Sequence, residues 1–203
     1  MPQGLFARNS FLWRCAQWVP RKWRQAVYER WHAVYARTFP DRRYLERHIL
    51  PWLVAHSGPH IVSIGCRAYT VHYEAMVERL GGDFATVDLD PEAGRHGAKR
   101  HVVKSVTDLT ASDFPAGVDG ILFNGVIGWG LDGPDEIDRA FDVLSGLLRP
   151  GSLLVVGWNT DRSADPMLRL AHYPSLSLCD GPTGATRVTF PNSTHVYDFL
   201  RRT

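Results

Sequence analysis

The stretch "HIVSIGCRAYT", His60 to Thr70, decides how this chain is read. Ile61-Val62-Ser63-Ile64 is a short apolar run of the kind that forms a buried strand. Gly65 ends it and permits a tight turn with close backbone approach to a ligand. A helix that follows such a turn presents free N–H groups at its start. A nucleotide-type loop then repeats glycine at every second position, but here Arg67 and Tyr69 stand in those places. Taken alone, "GCRAY" fits an ordinary strand-to-helix turn as well as it fits a cofactor loop.

The segments that follow set the context. "VHYEAMVERLGG" predicts a helix closed by Gly81-Gly82, and "FATVDLD" a second strand. "KRHVVKSV" holds a short third strand, and "VDGILFNGV" a fourth. "GPDEIDRAFDVLSGLLRPGS" is a helix with a turn at Pro150-Gly151, and "LLVVGWN" is a fifth strand. "DPMLRLAHY" reads as a short helix. "ATRVTF" and "THVYDFLRR" read as two final strands joined by Pro191-Asn192. Strands alternating with helices imply βαβ units and a parallel sheet. Two strands with only a short turn between them imply an antiparallel pair. The fold class expected is therefore α/β: a Rossmann-like, doubly wound, mostly parallel sheet with a C-terminal antiparallel strand.

Residues 1–57 precede this pattern as a helical extension, and residues 58–203 form the main domain. In "RKWRQAVYERWHAVYARTF", Trp23, Ala26, Val27, Trp31, Val34 and Tyr35 recur at helical spacing, bounded by Pro20 and Pro40. A second helix runs from Asp41 through "RRYLERHILPWLVAHSG", kinked or divided at Pro51, with Gly58 past its end.

Composition narrows the function. The 203 residues are 44% hydrophobic and 22% charged, ordinary for a globular protein able to bury a core. The net charge is only +2, so no global basic field calls for nucleic acid. The charge is uneven: Met1 to His48 carries ten Lys and Arg against three Asp and Glu, a basic arm on a mildly acidic domain. Cys15, Cys66 and Cys179 have neither metal-ligand nor redox spacing and read as apolar thiols of a reducing, cytoplasmic setting. No clustered carboxylates and histidines require a metal.

An open α/β sheet binds its ligands at the carboxyl ends of the parallel strands. Asp88 ends the second strand 23 residues after Gly65, where a carboxylate can accept both hydroxyls of a ribose. Asp88 or Asp90 can instead cap the turn that Pro91 begins. The fourth strand ends at "FNGVIGWGLD", where Asn124 offers an amide, Gly125, Gly128 and Gly130 leave space, and Trp129 offers either a cavity wall or a core contact. Trp158 and Asn159 end the fifth strand. The antiparallel last strand begins where the others end, which brings Asn192, Thr194 and His195 to the same rim. Alternation puts His195, Tyr197 and Phe199 on one face. His195 is a candidate catalytic base, with a structural histidine as the alternative. His72 and Tyr73 compete from the helix after Gly65.

In this order, "IVSIGC", "TVDLD", "FNGVIGWGLDGP" and "LLRPGSLLVVGWN" resemble a class I S-adenosylmethionine-dependent methyltransferase over residues 58 to 203. "LLRPGSLLVV" is similar to that family's turn into its fifth strand, and "THVYDFLRR" to its antiparallel seventh strand. The resemblance implies S-adenosyl-L-methionine as cofactor. It implies that Gly65 and the Cys66 loop lie under the methionine part, that Asp88 holds the ribose, that Ser105 and Val106 face the adenine, and that Asn124 and Gly125 lie beside the sulfonium. Two positions depart from the family. Ser63 stands where an acidic residue is usual, and Arg67 and Tyr69 stand where glycine is. Arg67 either meets the methionine carboxylate or points to solvent.

The expected reaction is methyl transfer to an oxygen of a small polar acceptor, a sugar or oligosaccharide hydroxyl, with His195 and His72 as candidate bases. Tyr69, Tyr73, Trp129, Trp158 and Asn159 would form the acceptor rim. No "NPPY"-like segment follows the fourth strand, which in the resemblance argues against planar nitrogen acceptors. The alternative is a catalytically degenerate binding or scaffolding module. The Trp- and Arg-rich arm "FLWRCAQWVPRKWRQAVYERW" reads as a lid or homodimer contact, or as a helix resting on an anionic membrane at the inner face.

Overall fold

The computed structural model describes residues 34–203. The expected helix around Trp23 to Trp31, and with it the lid, dimer and membrane readings of the arm, lies outside the described residues. Among them, no helix is long and apolar enough to cross a membrane.

The described residues form one eight-stranded sheet. Its strands are β1 (His60–Ile64), β2 (Asp83–Asp88), β3 (Arg100–Val103), β4 (Val118–Asn124), β5 (Leu148–Asn159), β6 (Leu176–Leu178), β7 (Arg187–Thr189) and β8 (His195–Arg202). The spatial order is β3-β2-β1-β4-β5-β8-β6, with β7 also paired to β8. The first five strands are parallel to one another, whereas β8 runs antiparallel to β5, β6 and β7. The chain leaves β1 for one side of the sheet and later turns to the other, so strand order reverses between β1 and β4. A reversal of that kind opens a crevice at the carboxyl ends of the two strands. The one strand missing from the sequence reading is β6, three residues whose pattern is too short to register.

Period-two alternation divides the core into two layers. Val62, Ile64, Val87, Phe123, Leu154, Val156 and Val196 face one side, covered by α4 (Pro134–Leu147). That helix starts with Pro134 in its first turn and acidic Asp135 and Glu136 beside its free N–H groups. It buries Ile137, Ala140, Phe141 and Leu144 at helical spacing. Phe141 stacks on Tyr173 with centroids 4.4 Å apart.

Ile61, Leu122, Leu153, Val155, Tyr197 and Phe199 face the other side. They are covered by α3 (Tyr73–Arg79) and by a helical run made of α1 (Pro40–Tyr44), a π-helical turn (Leu45–Ile49) and α2 (Leu50–Ser57). Pro51 divides this run in a specific way. It has no N–H for the carbonyl one turn back, and the wide turn just before it is closed by the Leu50 N–H on the Leu45 carbonyl. Leu45, Ile49, Leu50 and Leu53 have no exposed surface, so this part of the N-terminal region belongs to the core of the sheet domain. Full burial of each such side chain contributes about 1.5–3 kcal/mol.

Candidate functional site

Three adjoining hollows lie at the carboxyl ends of β1, β2, β4 and β5. Arg67 and Gly125 border all three.

The first hollow, about 100 Å³, lies between the ends of β1, β2 and β4 and is bordered by Gly65, Asp88, Leu89, Ser105 and Val106. Gly65 adopts φ +92, and an added Cβ would meet the Asn124 carbonyl oxygen at 3.2 Å. Only glycine combines that backbone with that contact. Asp88 is oriented by the backbone: the Cys66 N–H donates to Oδ2 at 2.8 Å and the Asp90 N–H to Oδ1 at 3.0 Å. Asp88 therefore does not cap the turn after it; Asp90 does, accepting from the Glu92 N–H at 2.9 Å. Ser105 caps its own short turn, with Oγ accepting from the Thr107 N–H.

The second hollow is a crevice of about 20 Å³ between the Gly65 loop, Asn124 and α1. Ser63, Tyr73 and Arg42 also line it. Three buried polar atoms of residues that line it lack hydrogen-bond partners: Arg42 Nη1, the Tyr73 O–H beside the Arg42 guanidinium, and Asn124 Oδ1, which packs against Gly157. Two of these are donors and one is an acceptor. Burial pushes the Tyr73 phenol well above its ordinary range, so it remains a neutral donor. Buried orphans of this kind are rare in folded proteins. Cys66 Sγ is fully buried and its thiol is pushed up to about 11, chiefly by burial, so the sulfur is no nucleophile.

The third hollow is the largest, about 600 Å³, and is bordered by Phe39, Asp41, Arg42, Tyr69, Trp129, Asn159, Thr194 and His195 among others. Arg42 lies over the Tyr69 ring at 4.6 Å, and its Nε is 3.5 Å from Asp41 Oδ2. Arg162 lies over the half-exposed Trp129 ring at 4.2 Å. Asn159 Nδ2 donates to Thr194 Oγ1 at 3.0 Å, which turns Oδ1 toward His195 Nδ1, 3.1 Å away. With the amide so placed, the imidazole proton sits on Nδ1.

Several expectations need correction. Trp158 is not at the rim. It shares the parity of Leu154 and Val156, is 3% exposed within the α4-facing core, and donates through Nε1 to Asp198 Oδ2 at 2.8 Å. His72 borders none of the three hollows. The loop after Gly65 carries it beneath the helical run, where Nε2 pairs with Glu46 Oε1 at 2.8 Å. Tyr73 borders the small crevice rather than the large cavity. His195 does border the large cavity, but it is 2% exposed and burial pushes its pKa down to about 3. Such an imidazole is a poor base at neutral pH. Arg67 points neither to solvent alone nor into the crevice alone: Nη1 donates to the Cys66 carbonyl at 2.7 Å and reaches Asp88 Oδ2 at 3.4 Å.

Sequence reasoning missed Arg42 and Asp41. Both sit in the first turn of α1, in "PDRRY", where nothing in the pattern separates the half-buried Arg42 from the exposed Arg43. Among the described residues, no group of three His, Cys, Asp or Glu side chains is placed to hold a metal ion.

No protein-family model matches the sequence, and no curated protein does. Solved structures do resemble the fold. The N-methyltransferase NodS from Bradyrhizobium japonicum, in complex with S-adenosyl-L-homocysteine, is 18% identical, with TM-score 0.60 over 81% of this chain and 89% of that one. A TehB-like S-adenosylmethionine-dependent methyltransferase from Corynebacterium glutamicum is 17% identical, with TM-score 0.62 over 91% of this chain and all of that one (100%). The 1,6-didemethyltoxoflavin-N1-methyltransferase of Burkholderia thailandensis is 19% identical, with TM-score 0.56 over 91% of this chain and 90% of that one. The strand order, the crevice at its reversal and these likenesses together give the chain the Rossmann-like fold of the S-adenosylmethionine-dependent methyltransferases.

Proposed function

We propose that the protein binds S-adenosyl-L-methionine across the first two hollows and transfers its methyl group to an oxygen of a small polar acceptor held in the third. The observation that carries this reading is the trio of unpartnered atoms at the crevice. Arg42 Nη1 and the Tyr73 hydroxyl are donors suited to a carboxylate, and Asn124 Oδ1 is an acceptor suited to an ammonium. An α-amino acid terminus carries both groups on one carbon. The missing acidic residue at Ser63 is thereby replaced by Asn124, and the carboxylate partner is Arg42 rather than Arg67.

The fit extends along the cleft. Asp88, held by two backbone amides, keeps lone pairs for a ribose diol. Leu89, Ser105 and Val106 border the space for an adenine. When bound, the cofactor supplies a methyl group already activated on a sulfonium. The chain's own task is then to align the acceptor and exclude water. Gly125, which borders all three hollows, leaves the passage between cofactor and acceptor open.

A carbohydrate acceptor has weaker support than the sequence suggested. It drew on open aromatic faces at the rim, and Trp158 is absent from that rim. Tyr69 and Trp129 each already carry a guanidinium on one face. A second reading, a binding module without catalysis, is favoured by Arg67, which occupies part of the Asp88 carboxylate. Calorimetric titration of the full chain with S-adenosylhomocysteine separates the two. Micromolar binding supports the enzyme, and absence of binding at millimolar ligand removes it.

A further inference from the structure

We infer that the acceptor attacks through an oxygen that is ionised before it binds, a carboxylate or an acidic phenol, rather than through an alcohol that the enzyme must deprotonate. The inference rests on the methyltransferase reading and concerns the third hollow. Among the described residues bordering that cavity, the titratable side chains are Asp41, Arg42, Arg67, Tyr69 and His195. None of them is an exposed, unpaired base. Asp41 is buried beside the Arg42 guanidinium, at 3.5 Å. Tyr69 accepts from Arg42 Nη2 at 3.4 Å. His195 has its Nδ1 proton directed to Asn159; its Nε2 has no partner but is buried, and the ring is nearly closed off from the cavity.

What the cavity does offer is positive charge. Arg67 reaches it from the loop and Arg42 from α1, against the single carboxylate of Asp41; Asp88 lies behind Arg67 at 3.4 Å. Transfer to an ionised oxygen forms one O–C bond, breaks one C–S bond and leaves the electron pair on sulfur. No proton moves, so no base is required. An alcohol would have to lose its proton to a group that the described residues of this wall do not hold exposed. The ion pair of Arg67 with Asp88 is long and more than half exposed on the Arg67 side, so that guanidinium is available to a second anion.

The test is a binding experiment on the full chain saturated with S-adenosylhomocysteine, using benzoate and 4-nitrophenol with benzamide and benzyl alcohol as neutral counterparts. Ligand-observed NMR reads each affinity. The expected result is at least tenfold tighter binding of benzoate than of benzamide, and 4-nitrophenol binding that strengthens as the probe ionises. In Arg67→Gln the preference should shrink to under threefold. Neutral probes binding as tightly as the anions, no probe binding to the loaded protein, or an unchanged preference in Arg67→Gln would each overturn the inference. If S-adenosylhomocysteine itself fails to bind, the methyltransferase reading falls and this one with it. Preference for benzoate alone identifies carboxylates as the source, and preference for both anions admits acidic phenols.

Discussion

Arg67 Nη1 lies 3.4 Å from the same Asp88 oxygen that accepts the Cys66 N–H. An arginine thus stands where the glycine pattern would leave open space, and it competes for the carboxylate that a ribose would use. Because Arg67 is largely exposed, the pair contributes about 0.5–1 kcal/mol. Arg67→Gly should therefore tighten adenosine binding about two- to fivefold in calorimetry. Weaker adenosine binding would mean that the guanidinium assists the nucleoside instead.

Asp88 carries the opposite expectation. Its two backbone bonds hold it in place, and each hydrogen bond from a hydroxyl to a carboxylate contributes about 1.5–3 kcal/mol. Asp88→Ala should weaken S-adenosylhomocysteine by about tenfold or more. An unchanged dissociation constant would refute the ribose role.

Arg42 gives a cleaner comparison, because two ligands share a nucleoside but differ at the amino acid end. Arg42→Met should weaken S-adenosylhomocysteine about tenfold while leaving 5′-methylthioadenosine, which lacks the amino acid, within twofold. Equal losses for the two ligands would place Arg42 elsewhere.

Asp198 and Trp158 test stability rather than binding. Asp198 is 1% exposed and accepts from Trp158 Nε1 and from Arg187 Nε at 2.6 Å, while Arg187 also grips Asp165. Asp198→Ala leaves buried donors unpaired and should cost about 3 kcal/mol in denaturant unfolding. A loss under 1 kcal/mol, on the order of a surface pair, would show the network to be peripheral.

His195 sets part of the pH dependence. Burial holds its folded pKa down to about 3, against an ordinary value of 6.5. The unfolded chain therefore binds this proton first as pH falls. The stability that follows from a neutral His195 is complete above about pH 6.5 and is lost as pH falls toward about 3. His195→Gln should flatten the unfolding free energy against pH across that window. A slope identical to the parent chain would show that another group dominates it.

The legible parts of this molecule were those carried by long patterns. β1, β2, β4 and β5 each hold a mainly apolar buried run, and such runs announce buried parallel strands whatever surrounds them. Asp88 and Asn124 were legible because they end those runs. Trp158 was misplaced although its side was readable: Leu154, Val156 and Trp158 share one parity, and Asn159 belongs to the other. His72 and Tyr73 depended on the path of the loop after Gly65, which no local pattern fixes. Arg42 was invisible for a different reason. A charged residue in the first turn of a helix usually faces water, and its half-buried position follows only from how that helix packs on β8, where the Tyr197 hydroxyl lies 3.4 Å from the Asp41 carbonyl.

That packing angle has an unexpected author in Pro51. A straight α-helix advances about 100° per residue, so the extra residue of the Leu45–Ile49 turn rotates everything before it by about that amount relative to α2. The aim of Arg42 at the crevice is thus set by a proline nine residues further along, which borders none of the three hollows. The helix works as a cam: the crevice-facing end and the sheet-facing end are indexed to each other by one missing N–H.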